Sequence, residues 1–295
     1  MARPLHATGR RAACRPVMKR TLSAAVCALA LLGPPAAAAP SPDAVTARVA
    51  ALGTRLRGQG FTITSEGPFV IVGDEPPARV RSRVSFLRMI VTLLEQDLFA
   101  AAPAKVIEVW LFKNERSYRR GAKAFFDDEP DTPYGYYSTD DDALIMNIGP
   151  GAGTLSHELV HPYIEANFPA APAWFNEGLA SLYEQPRERD GHLWGTTNWR
   201  LPGLQAMIRG GTLPTLRTVL RTSRDEFYDA PYDAYAYARF LCQYLQDRGQ
   251  LRAFYQAFVA DTRDRTGEAA LVRVLGQDLP TIERAFVTWA RRLRR

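Results

Sequence analysis

Cysteine and histidine are nearly absent from this 295-residue chain, at three and four residues. Cys14 and Cys27 fall in a segment read below as a leader, which leaves Cys242 with no partner for an internal disulfide. The fold must therefore rest on its own core. Roughly 255 residues beyond the leader suffice for one, as a single large domain or two closely packed lobes. Cys242 stands among Phe240, Leu241 and Leu245 and reads as a small buried hydrophobe. Long apolar runs are missing too. The stretch from Leu22 to Leu32 is too short to cross a bilayer, and no later segment is longer and as apolar. An excess of one charge is also lacking once the leader is set aside. The formal net charge is +6, but six of the 37 lysines and arginines precede residue 40 and no acidic residue does. That leaves 31 basic against 31 acidic side chains. The basicity belongs to the leader and gives no argument for nucleic-acid binding.

The first 39 residues have the three-part layout of a secretory signal peptide. Met18-Lys19-Arg20 opens a basic stretch, the apolar run follows, and Gly33-Pro34-Pro35 and Ala36 to Ala39 supply small residues for cleavage. The expected destination is the bacterial periplasm or exterior. Synthesis from Met1 or from Met18 gives the same mature chain.

The expected fold class is α+β, with a mixed-sheet lobe over residues 40–153 and a helical lobe over 154–295. The metal site described below would lie at their junction. A short amphipathic helix is expected over Ala44 to Leu56. Two strands are expected at Phe61 to Thr64 and Phe69 to Val72, joined by a turn at Glu66-Gly67-Pro68. Arg79 to Ala101 has helical periodicity, and Val106 to Phe112, Tyr134 to Ser138 and Ala143 to Ile148 read as strands. Ala143 to Ile148 directly precedes the histidine-bearing helix. It would border the cleft either as an edge strand able to pair with an extended peptide or as an internal strand. Pro172 suits the first turn of a helix running to Glu184. Gln185 to Asp233 is polar and irregular apart from a helix near Leu204 to Ile208, and the remainder is helical.

Two of the three histidines beyond the leader stand in His157-Glu158-Leu159-Val160-His161. Imidazoles four positions apart share one helix face and can meet one metal ion. Glu158 is turned about 100° around that helix, beside the ion, where it can deprotonate a metal-activated water. A catalytic zinc takes three protein ligands and keeps one position open, and two histidines with a glutamate are one such set. Glu177, within Trp174-Phe175-Asn176-Glu177-Gly178-Leu179-Ala180, is the natural third ligand, with Glu165 as the nearby alternative carboxylate. Gly178 and Ala180 are small enough to let their helix approach the histidine helix. Asn176 either hydrogen-bonds a ligand or faces solvent. His192, in a polar stretch, reads as an exposed loop residue rather than a further ligand. Pro162 disfavours helix at His161 and removes a hydrogen bond to the Glu158 carbonyl, so the helix is expected to kink or end just after the second histidine.

The pairing of His-Glu-Leu-Val-His with Trp-Phe-Asn-Glu-Gly-Leu-Ala resembles the gluzincin metallopeptidases, specifically the peptidase MA-like group of secreted bacterial proteins. The resemblance is most specific between Tyr134 and Tyr183. It implies one Zn²⁺ held by His157, His161 and Glu177, with Glu158 as general base and a peptide or protein as substrate. Fifteen residues separate His161 from Glu177, fewer than in the aminopeptidase N family. Related gluzincins carry a tyrosine opening a helix after the third ligand, which points to Tyr235 as the donor to the oxyanion. Tyr232 and Tyr237 are competitors, and a packing role for all three stays open. The family's aminopeptidases bind a free amine through Gly-x-Met-Glu-Asn. Ala143 to Ile148 lacks any acidic residue, which favours an internal cut. Two other readings stand beside the peptidase: a catalytically inactive envelope or scaffolding protein, and a zinc hydrolase of cell-wall amides. Composition does not address oligomeric state.

Overall fold

The structure is a computed structural model describing residues 38–295. The expected leader lies outside the described residues except for Ala38 and Ala39. The fold is mixed α+β, with a five-stranded mixed sheet in the N-terminal part and mostly helices in the C-terminal part. Helix α1 (Pro42–Arg55) leads into the hairpin of β1 (Thr62–Glu66) and β2 (Phe69–Gly73). Helix α2 (Pro77–Asp97), β3 (Ile107–Phe112), α3 (Glu115–Phe126), β4 (Gly135–Ser138) and β5 (Ala143–Asn147) complete this part. The strand order is β1-β2-β3-β5-β4. The central pairs β2–β3 and β3–β5 are parallel, and the outer pairs are antiparallel.

The three central strands are buried on both faces, as parallel strands covered by helices must be. Their alternation sorts residues cleanly. Val70, Val72, Trp110, Phe112 and Ile145 face α1 and α3. Ile71, Val109, Leu111, Leu144 and Met146 face α2 and the C-terminal helices, joining one core that runs through both halves of the described chain. The amphipathic α3 has no counterpart in the elements expected from sequence. Asn114 caps it by accepting a hydrogen bond from the Ser117 amide at 2.9 Å.

Beyond the sheet come α4 (Gly153–Glu158), α5 (Val160–Asn167) and α6 (Ala173–Leu182). The segment expected to be irregular is instead well structured. It holds the hairpin of β6 (Pro186–Arg189) and β7 (His192–Gly195), then α7 (Leu201–Gly210), α8 (Leu216–Leu220) and α9 (Arg224–Tyr228). Its polar residues obscured these elements because β6 is largely exposed. The chain closes with α10 (Ala234–Asp247), α11 (Leu251–Ala260), α12 (Glu268–Leu275) and α13 (Leu279–Arg292). Among the described residues, no helix is long and apolar enough to cross a membrane.

Three local expectations are corrected, and of the two readings left open for Ala143 to Ile148 the internal strand is the one found. The edge strand is β4, because β5 is paired on both sides. The helical break falls at Leu159, between the histidines, and α5 continues past Pro162 to Asn167. The proline strips the Glu158 carbonyl of its amide partner, so the defect emerges one turn before the ring itself. Pro172 is the N-cap of α6 rather than part of its first turn. Finally, Gly178 faces α10 and not the histidine helix. A Cβ there would stand 2.8 Å from the Ala238 carbonyl oxygen and 3.1 Å from the Ala238 Cβ.

Two glycine substitutions should therefore act in opposite directions. Gly178→Ala forces the α6–α10 contact apart and should destabilise by about 1–3 kcal/mol. Gly53→Ala, on α1 with nothing within 4 Å of its added carbon, should stabilise by about 0.5–1 kcal/mol. Denaturant titration of both variants checks the signs.

Candidate metal centre

The histidine helix and α6 are held together end to end. Gly153 lies against the Glu184 carbonyl so closely that any side chain would collide with it. One turn on, the buried Ser156 hydroxyl donates to the Tyr183 carbonyl at 2.6 Å. These contacts bring His157, Glu158 and His161 beside Glu177, in a cavity of about 970 Å³. The His157, Glu158 and His161 ligand atoms all lie within 4.8 Å of one another and could hold a metal ion. Glu177 adjoins them from α6, its Oε2 3.3 Å from His157 Nε2, and Glu158 Oε2 is 3.7 Å from His161 Nε2. The break at Leu159 leaves the two imidazole centroids 5.0 Å apart, so the kink has not separated the pair.

The outward nitrogens decide how the rings can be used. Asn176 Oδ1 lies 2.9 Å from His161 Nδ1, so this side chain is turned to the histidine and not to solvent. With that oxygen as acceptor, Nδ1 carries a proton and Nε2 faces the cavity. His157 Nδ1 faces Glu184 Oε1 at 3.6 Å, too long for a hydrogen bond, and is buried without another partner among the described residues. Glu184 is itself fixed. Arg200 Nη2 and Nε donate to its two oxygens at 2.7 and 3.0 Å, and Asn198 Nδ2 donates at 2.8 Å. Two imidazoles with inward Nε2 atoms and buried carboxylates alongside form a donor set that could hold a metal ion.

Burial and charge divide the carboxylates by role. Burial raises the Glu158 pKa, and its contact with His161 Nε2, at 3.7 Å, is too long for a hydrogen bond. Burial would raise Glu177 as well. The His161 charge, the His157 contact and the Tyr228 hydroxyl, which donates to Oε1 at 2.6 Å, outweigh it and lower the value to about 2. Burial would lower His157, yet the hydrogen bond to Glu177 and the charges of Glu158, Glu177 and Glu184 raise it to about 9.

Glu165, the alternative third ligand, is engaged by the Tyr137 hydroxyl at 2.8 Å. Tyr235 lines the cavity, its ring beneath the Arg200 guanidinium at 5.1 Å. Tyr237 is fully buried against Phe286, and neither it nor Tyr232 lines the cavity. His192 lies on β7, exposed and paired with Asp97 at 2.7 Å, away from the site. Cys242 is buried. Sequence reasoning missed Glu184, Arg200 and Tyr228. Glu184 follows Glu177 by seven positions, two helical turns on the same face, which was a usable signal. Nothing in the sequence marks Tyr228, which arrives from α9 through tertiary packing.

Neither a scan against protein-family models nor a search of curated proteins returns a match to this chain.

Protons and metal should compete visibly at this site. His157 binds a divalent ion only when neutral, and its raised pKa keeps the proton in place up to about pH 9. Zinc affinity should therefore climb from pH 6.5 to about 9, roughly tenfold per pH unit for each proton displaced. Competition against a chromogenic chelator, corrected for the chelator's own protonation, checks this. A flat affinity would remove His157 from the ligand set.

Proposed function

We propose that this chain is a secreted zinc-dependent peptidase of the gluzincin type. The observation that carries the reading is the pair of inward-facing imidazoles with two unlike carboxylates beside them, at the floor of an open cleft. His157, His161 and Glu177 would hold one Zn²⁺, Glu177 serving as ligand because its environment keeps it ionised. Bound zinc would supply Lewis acidity, polarising a carbonyl and acidifying a water.

The protein's own groups do the remaining work. Glu158, uncommitted to any protein donor, takes the water proton and returns it to the leaving amine. Its raised pKa suits a group that must both accept and release a proton. Asn176 holds the His161 ring with its Nε2 inward, and the Glu184 carboxylate stands 3.6 Å from His157 Nδ1. The Tyr235 hydroxyl, on the cleft wall with no protein partner among the described residues, donates to the oxyanion as the carbonyl becomes tetrahedral. Edge strand β4 runs along the cleft through Gly135, Tyr136 and Tyr137, with one side of its backbone unpaired. An extended peptide can add to that edge by main-chain hydrogen bonds.

The purified protein should contain one zinc and degrade an unstructured polypeptide, and a chelator should stop it. Glu158→Gln should keep the zinc while activity falls by on the order of 10² or more. Absence of both zinc and hydrolysis would favour a non-catalytic scaffold instead. Tyr235→Phe keeps the ring and deletes the donor. It should lower kcat about a hundredfold, roughly 3 kcal/mol, with KM and zinc content nearly unchanged. Equal kcat values would return Tyr235 to a packing role.

A further inference from the structure

The charged side chains on the cleft wall are unequally committed. Glu158 and Glu177 belong to the proposed metal centre, and Glu184 is occupied by Arg200. Glu165 accepts from Tyr137. Arg224 is the exception. It is exposed, lines the cleft, and among the described residues makes no ion pair or hydrogen bond through its guanidinium. Of the nearby acidic residues, Glu226 is occupied in the cap of α9, where it accepts from the Ser223 amide at 2.7 Å, and neither Asp225 nor Asp229 pairs with Arg224 among the described residues.

Its position relative to the metal centre is defined by one aromatic ring. The Arg224 guanidinium lies 5.6 Å from the centroid of Tyr228, whose hydroxyl donates to Glu177 Oε1 at 2.6 Å. Stacking on an aromatic face limits the conformations of an arginine and leaves its planar edge of donors available. Tyr228 is 42% exposed, so this wall is open to a bound chain. The Tyr228 ring thus separates the free cation from Glu177, a span that an extended peptide crosses in two or three residues at about 3.3 Å each.

We propose that Arg224 receives a carboxylate of the substrate within a few residues of the scissile bond, making the cleft selective for anionic peptides. The assignment rests on the peptidase reading above. A carboxylate matches the paired donors of a guanidinium, and it would enter a cleft whose other arginine is already satisfied. Two sources carry that chemistry: an aspartate or glutamate side chain, and the C-terminus of a short peptide.

The test uses the zinc-loaded full protein and matched peptides of one sequence. One pair carries glutamate or glutamine at positions flanking the cleavage point, and another ends in a free carboxylate or an amide shortly after it. At least one carboxylate-bearing member should be preferred about tenfold in kcat/KM, mainly through KM. Arg224→Gln should bring that ratio close to one, Arg224→Glu should invert it, and Arg224→Lys should restore it in part. Which pair responds identifies the source. A wild-type ratio near one, or a ratio unchanged in Arg224→Gln, overturns the proposal and leaves the peptidase reading standing. If no peptide is cleaved, the peptidase reading fails, and calorimetric titration of the same peptides decides the inference separately. Tenfold weaker binding of the carboxylate member to Arg224→Gln supports it, whereas equal affinity of acid and neutral members overturns it.

Discussion

Helix α6 is packed on nearly every side, and the candidate site depends on that. Eight of its ten residues are buried, among them Trp174, Phe175, Leu179 and Leu182. Gly178 allows α10 to come within van der Waals range of its backbone, and the start of α4 abuts its C-terminal end. A helix confined in this way cannot rotate or slide without opening the core. Glu177 and Asn176 therefore meet the two imidazoles at fixed distances. Fixing the scaffold ahead of time reduces the ordering that metal binding or catalysis would otherwise require.

Such confinement has an electrostatic cost, because it takes ionisable groups out of water. The structure meets that cost by compensation in layers. His157 and Glu177 touch, Tyr228 donates to Glu177, and Glu184 is held by both Arg200 and Asn198. A further arginine, Arg239, is fully buried behind these groups. It reaches the Thr196 carbonyl and donates to Gln243 at 2.7 Å, while Gln243 bonds the Thr197 hydroxyl at 2.9 Å. These bonds anchor the segment that delivers Asn198 and Arg200 to Glu184. This polar network reaches into α10, where Arg239 Nε is left buried without a hydrogen-bond partner among the described residues.

Much of this was legible in the sequence, and for identifiable reasons. The strands at Phe69 to Val72 and Val106 to Phe112 announce themselves as short apolar runs rich in β-branched and aromatic residues, and the helix following Arg79 through its apolar periodicity. The histidine pair is legible because helix geometry converts a spacing of four into a shared face. Asn176 was visible as a neighbour of Glu177, but its contact with His161 depends on how α5 and α6 cross. The hairpin at β6 and β7 was not legible, since one of its strands is exposed and carries no alternating apolar pattern. Whether Ala143 to Ile148 is an edge or an internal strand stayed open because strand order in a sheet is set by crossovers, which local sequence does not encode.

By itself the sequence determined the mixed α+β character, the position of several strands along the chain, the identity of the His157-Glu158-His161 group and the glutamate on the next helix. Local physics suffices for these, because they follow from residue spacing and side-chain chemistry within a few turns of chain. Only the tertiary structure decided that Tyr228 holds Glu177, that Arg200 secures Glu184, and that Arg224 stands uncompensated on the cleft wall. Those relations join residues separated by up to 51 positions for Glu177 and Tyr228 and 16 for Glu184 and Arg200. They exist because packing around α6 closes long loops, and no periodicity in the sequence records which side chains meet when those loops close.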